Sequence, residues 1–223
     1  MKEASEFLEL ADWRRRVAGM YAAVREAPAA GRVIAWNEWR ATRNDLFKRH
    51  RQSPLSAAQR AQFRALDYFP YDPAWRFLAT VQADTARPSF EYRLDADVNF
   101  VMTRMGWAVF ETGATENWLG LYWIEGYGGG LFLPFRDVTN RTESYGAGRY
   151  LYDTIKGVDL GFSPNAPAGD APDANLGQIV LDFNFAYNPS CAYHSRWVCP
   201  LAPAANSLPF PVLAGERRFP LTG

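Results

Sequence analysis

From Glu6 to Glu26 the apolar residues Phe7, Leu10, Val17, Met20, Tyr21 and Val24 return every three or four positions, around Trp13 and the run Arg14 to Arg16. That period predicts an amphipathic helix. Pro28 and Gly31 end it, and a second helical pattern from about Trp36 to His50 carries Trp36, Trp39, Arg43, Leu46 and Phe47. Its basic residues Arg40, Arg43, Lys48, Arg49 and Arg51 read as a solvated flank, with phosphate binding as the alternative. Ser53 and Pro54 break the pattern. Ser56 stands three residues before Gln59, an arrangement in which each side chain can satisfy the other's free amide, so a short helix is expected to about Leu66. In the segment Tyr68 to Pro73, YFPYDP, two prolines push Phe69 and Asp72 away from helical dihedrals, and the chain must run extended or turn there.

Beyond this bridge the period changes from near four to two. Residues 77–81, 90–94, 98–104, 107–111, 118–124, 131–135, 148–152 and 178–185 all read as strands. Eight strands at short spacing, with no helical pattern between them, predict an antiparallel sheet that closes into a barrel or folds into a sandwich. The fold class is therefore α+β, with N-terminal helices (1–67) covering an end or open edge of an all-β part (77–223) that finishes in a long irregular tail. Between Gly157 and Gly177 the sequence VDLGFSPNAPAGDAPDANL has little to bury and predicts a long surface loop. The length of 223 residues suits one domain.

Composition changes this picture in one respect, the partners it excludes. Lys plus Arg equals Asp plus Glu at 24 each, so no whole-molecule field steers the chain to nucleic acid or an anionic membrane. No stretch of apolar residues is long enough to span a bilayer, and the acidic N-terminal segment lacks the basic start of a leader. The cytosol is the expected compartment, where the two cysteines stay reduced.

Several groups could carry chemistry. The glycine run Gly126 to Gly130 precedes a strand rather than a helix, and so reads as a hairpin turn, not a phosphate loop. Arg136, Asp137, Glu143, Tyr145 and Arg149 fall within fourteen residues and could clamp an anion or supply acid and base; the alternative is an Arg-carboxylate network pinning a hairpin. Strand alternation over 178–185 places Val180, Asp182 and Asn184 on one face, and a buried Asp182 would need Arg136 or Arg149 as partner. Cys191, His194 and Cys199 are the candidate metal ligands, of types zinc accepts, but a structural site wants a fourth and none is near in sequence, so no metal is assigned. A disulfide and a pair of packed thiols are the other readings of the cysteines. A Cys191 nucleophile with His194 as base ranks last, because residues three apart in a loop rarely present that geometry.

YFPYDP, LFLPFRD, ESYGAGRYL, LDFNFAYNPSCAY and WVCPLAPAANSLPFPVLAGER together resemble the bacterial and archaeal family of domain of unknown function 1684 (DUF1684), from about Phe47 onward. The resemblance covers Arg136, Asp137, Glu143, Tyr145, Arg149, Asp182, Asn184, Tyr187, Asn188, Cys191, Cys199 and Asn206. It departs at Asn140 and Arg141, where the family has Gly, and at Ala205 and Ser207, where the family has Glu and Arg; the tail departures argue against catalytic charge there. The resemblance implies neither activity nor cofactor.

The function expected from these residues is binding of a small polar or anionic molecule at one end of the barrel. Asp182, Asn184, Tyr187 and Asn188 would line the pocket, and Arg136, Glu143, Tyr145 and Arg149 would close it. Asp182 or Glu143 would be the general base of a hydrolase-like reaction. The alternatives are a non-catalytic structural or interaction module, whose Asn and Tyr residues fix the tail, and a flavin-binding protein, for which no phosphate-binding fingerprint exists.

Overall fold

Three helices precede the sheet in the computed structural model, which describes residues 4–95, 98–165 and 175–220. Helix α1 (Ala4–Glu26) buries Val17, Met20 and Tyr21, but Phe7 is 60% exposed, so only the second half of the apolar stripe packs. Helix α2 (Arg32–Arg49) buries Trp36, Trp39, Leu46 and Phe47 together with Arg43, which corrects the reading of Arg43 as a solvated flank. Helix α3 (Ala57–Gln62) carries the expected reciprocal cap, Gln59 N–H to Ser56 Oγ at 3.2 Å and Ser56 N–H to Gln59 Oε1 at 2.8 Å. It ends four residues before Leu66, whose amide is taken by Asn44 Oδ1 at 2.9 Å.

The strands are β1 (Arg76–Ala83), β2 (Ser89–Asp95), β3 (Val98–Thr112), β4 (Thr115–Ile124), β5 (Gly130–Phe135), β6 (Arg149–Asp153), β7 (Phe162–Pro164) and β8 (Asn175–Asp182). All pairs are antiparallel, in the order β6-β5-β4-β3-β1-β8-β7, with β2 on the first half of β3. The predicted strands 98–104 and 107–111 are one strand, with a register shift between Arg104 and Gly106. Gly106 is not a break: a Cβ there would lie 2.5 Å from Gln82 O of β1, so the glycine permits close backbone approach. The Gly126 to Gly130 run is the β4-β5 turn, with left-handed Gly126 and Gly128.

The sheet curls into a half-barrel rather than a flat layer. Its end strands β6 and β7 are not paired with each other among the described residues, yet Tyr152 Oη of β6 bonds Gly161 O at 2.9 Å and Val180 O at 2.8 Å, drawing the two edges together. Phe183 centres the aromatic core, with Trp75, Phe77, Phe110 and Phe135 around it. The predicted loop 157–177 contains β7, which pairs with β8, while its residues 166–174 lie outside the described residues.

The tail after β8 is irregular but tied at many points. Asn206 is fully buried, its Oδ1 accepting from Gly120 N at 2.9 Å and its Nδ2 donating to Pro134 O at 2.7 Å and Gly120 O at 2.9 Å. Farther along, Phe69 N–H donates to Gly215 O at 3.0 Å, so the YFPYDP bridge and the end of the tail hold one another. Backbone groups of irregular segments need such partners when buried.

Candidate functional site

Strand β8 does not continue to Phe185 as the alternation suggests. It stops at Asp182, whose Oδ1 accepts the Asn184 amide at 3.1 Å and so caps a single 3-10 turn, Phe183–Phe185. Asp182 and Asn184 are neighbours through this turn, not through strand alternation; Asn184 Nδ2 donates to Asp182 Oδ1 at 2.9 Å. The other bonds of the amide, Nδ2 to Asp72 O at 2.8 Å and Oδ1 from Asp72 N at 3.0 Å, fasten the bridge.

Asp182 borders a cleft of about 270 Å³ between the α1-α2 junction and the outer faces of β1 and β8, with Arg25, Arg32, Arg76 and Gln178 on its walls. Only 3% of Asp182 is exposed. Its Oδ2 stands 3.8 Å from Arg76 Nε and takes no hydrogen bond among the described residues. Burial pushes the carboxyl up to about 6, against the bonds from Asn184 and the charges of Arg76 and Arg32. The Arg32 side chain makes no hydrogen bond or ion pair among the described residues, whereas Arg25 is engaged with Asp159 at 3.3 Å. Tyr71 Oη is enclosed and unpartnered, its pKa raised by burial and then by the Asp182 charge. Two guanidinium groups with spare donors and a carboxyl that titrates near neutrality therefore share one cleft.

The pH dependence follows from the direction of that shift. A carboxyl raised from 3.8 to about 6 on folding stabilises the folded state fully below its unfolded value, and that contribution disappears as pH rises through about 6. The difference is on the order of 3 kcal/mol. Asp182→Asn, which keeps an acceptor for Asn184, should be the more stable protein at about pH 8 and equal to the parent at about pH 4, as read by urea unfolding. A parent that gains stability over the variant as pH rises through 6 contradicts the assignment.

The other expected site residues do not join Asp182. Arg149 is fully buried, its Nη2 bonding Asp137 Oδ2 at 2.8 Å and Val212 O at 3.0 Å, and its Nη1 bonding Ala214 O. Arg136 bridges to Ser207 through backbone, with its Nε buried and unpartnered. Glu143 is exposed and pairs with Arg217 at 3.3 Å. Tyr187 and Asn188 border a separate cavity of about 70 Å³ with Arg43 and Tyr193. Asn188 Nδ2 donates there to Glu216 Oε1 at 3.1 Å, while Tyr187 Oη and Asn188 Oδ1 are buried without partners. The partner found for Asp182 is Arg76, not Arg136 or Arg149.

Cys191 and Cys199 are free and half-buried, and the Cys191 amide donates to Cys199 Sγ at 3.3 Å. His194 does not join them; its Nδ1 accepts the Arg196 amide at 3.0 Å. Among the described residues no three His, Cys, Asp or Glu side chains stand where they could hold a metal ion. A further cavity of about 460 Å³ is walled by Met105, Leu121, Trp123, Leu131, Phe162 and Leu176. No helix of the described residues is long and apolar enough to cross a membrane.

The cleft residues Arg32 and Arg76, and Tyr71 near Asp182, escape the sequence reading, because each stands at an element boundary where periodicity carries no signal. Tyr71 and Arg76 flank Asp72 and Pro73, and only the return of β8 beside β1, with Arg76 opposite Asp182, brings them to the carboxyl.

No curated protein matches the chain. The solution NMR structure of an uncharacterized protein from Haloarcula marismortui is similar, at 32% identity and a TM-score of 0.58, covering 83% of this chain and 93% of that one. The family described as "Protein of unknown function (DUF1684)" matches residues 61–217, from the end of α3 to the residue after Glu216. The half-barrel with its pinned tail thus falls inside the match and α1 and α2 before it, and the chain belongs to the DUF1684 family.

Proposed function

We propose that the protein binds a small anionic molecule in the Asp182 cleft, held by Arg32 and Arg76, and that Asp182 exchanges a proton with it. The observation that carries this reading is the pairing of an unbonded Asp182 Oδ2 with an Arg76 Nε too far for a direct hydrogen bond, at 3.8 Å, beside an Arg32 side chain without a described partner. Guanidinium groups offer forked donors that match carboxylate and phosphate oxygens, and such charge-assisted bonds are strongest away from water. A protonated Asp182 can donate to an anion, while its ionised form can accept from an acid, and a pKa of about 6 makes both forms accessible near neutrality. The volume of about 270 Å³ suits a small molecule.

Calorimetric titration with inorganic phosphate, acetate and malonate at about pH 5 and about pH 8 tests the proposal, since the state of Asp182 differs between them. At least one probe should bind saturably, and Arg32→Ala and Arg76→Ala should each weaken it about tenfold or more. Equal affinity in parent and both variants, or no binding of any probe at either pH, overturns it.

A second reading, a structural role for the motif residues outside the cleft, is supported by the many bonds of Arg149, Asn206 and Glu216 to the tail and its neighbours. The two readings concern different residues and do not compete.

A further inference from the structure

We propose that Cys191 and Cys199 form a redox-active dithiol that exchanges with small disulfides, Cys191 being the attacking sulfur and Cys199 the resolving one. Three sequence motifs meet at this point. The 3-10 turn Ser190–Ala192 carries Cys191, the CPL segment returns Cys199 to it, and the SYGAG turn supplies Tyr145. Cys191 N–H donates to Cys199 Sγ at 3.3 Å, which brings the two thiols together. Tyr145 Oη donates to Cys191 Sγ at 3.6 Å. Both cysteines are half-buried, which leaves an approach for a small reagent.

The groups facing the pair are Cys199, Tyr145, Lys156 and Tyr150. The Tyr145 hydroxyl donates to the Cys191 sulfur, and the Lys156 cation favours its negative charge; Tyr150 is buried and neutral, its hydroxyl committed to Pro200 O. The neighbouring Cys199 thiol, with help from Tyr145, holds Cys191 down at about 6, while the proximity of Cys191 and burial push Cys199 up. One thiolate beside one thiol is the state that begins disulfide exchange, and an attacking thiol works best with a pKa near ambient pH. A link across residues 191 and 199 closes a short loop, where a cross-link constrains the unfolded chain least, so its chemistry rather than its stapling effect is the notable property.

The reaction balances with a low-molecular-weight disulfide as oxidant. The Cys191 thiolate attacks one sulfur of R–S–S–R, forming Cys191–S–S–R and releasing one RS⁻, which takes a proton from water. Cys199 then loses its proton and attacks Cys191 Sγ; the bond to SR breaks, and the second RS⁻ leaves with that proton. Two electrons pass from the protein dithiol to the small disulfide, giving the Cys191–Cys199 disulfide and two thiols.

Oxidised glutathione is the probe, followed by acid quench, alkylation and peptide mass spectrometry. The parent should lose two hydrogens across Cys191 and Cys199. Cys199→Ser should stop as a mixed disulfide carrying one glutathione on Cys191, and Cys191→Ser should react at least about tenfold more slowly. A measurement that needs no substitution is the pH profile of iodoacetamide alkylation on the parent, with a Cys191 midpoint near 6. Tyr145→Phe, which removes a positioning donor, should move that midpoint upward. A Cys191 midpoint at an ordinary thiol value of about 8.5, or equal rates for both serine variants, overturns the proposal.

Discussion

Arg149→Met should cost about 3–5 kcal/mol of folding free energy, a large part of the ~5–15 kcal/mol that a protein of this kind has. The methionine preserves most of the buried stem, so the loss isolates the guanidinium. That group serves four acceptors at once: Asp137 Oδ2 at 2.8 Å, Val212 O at 3.0 Å, Glu216 O at 3.3 Å, and Ala214 O. Without it the Asp137 carboxylate, buried with its Oδ1 already occupied by Thr139 and by the Val212 amide at 3.2 Å, loses its only cation among the described residues. Removing one member of a buried ion pair is expensive because the charge left behind has neither water nor partner. Three tail carbonyls are orphaned in addition, so the damage should concentrate in residues 206–217. Arg149→Lys should recover part of the loss, since an ammonium restores the charge but cannot span carbonyls and carboxylate with a planar fork. Urea unfolding measures the first effect and amide exchange in the tail the second. An unfolding midpoint like that of the parent for Arg149→Met would show that the tail is held by other means.

How much of this architecture can be read from the chain depends on where its physics is local. The helical and strand periods are local, and they locate α1, α2 and most of the strands. The reciprocal Ser56-Gln59 cap is equally local. Asp182 is a different case: an alternating apolar run looks like a strand through Phe185, but the side chain of Asp182 competes for the Asn184 amide and turns the chain. The Asp-Phe-Asn step held that information as a capping signal, and the alternation hid it. Arg32 and Arg76 illustrate the opposite limit. Nothing in their surroundings in the sequence marks them, because the cleft exists only after β1 and β8 pair and α2 starts above them. The cysteines lie between these cases; their spacing is visible, but the Tyr145 hydroxyl that donates to Cys191 Sγ comes from a turn forty-six residues earlier.

Arg43, misread as a solvated residue although it stands on the apolar stripe, is the key to the second large effect. Trp36, Trp39, Arg43, Leu46 and Phe47 follow one helical stripe, and a lone arginine on an apolar stripe requires a buried anion. The anion is Glu216, 1% exposed, with Oε2 at 2.7 Å from Arg43 Nη2 and at 3.1 Å from the Asn188 amide. Its Oε1 accepts from Tyr193 Oη at 2.5 Å and Asn188 Nδ2 at 3.1 Å, and Arg43 Nε donates to Tyr68 Oη at 2.9 Å. Helix, bridge and tail are thus joined through one ion pair. Arg43→Met should destabilise by about 3–5 kcal/mol, because the carboxylate stays buried with neutral donors only. Adding Glu216→Gln should reverse part of that loss: the amide carries no charge, yet its oxygen can still accept from Tyr193 or Asn188. The double variant should therefore be more stable than Arg43→Met alone, a coupling of at least ~1 kcal/mol in a double-mutant cycle by urea unfolding. Additive losses would mean that Glu216 is held mainly by Asn188 and Tyr193, and that α2 is fixed to the tail by its tryptophans rather than by charge.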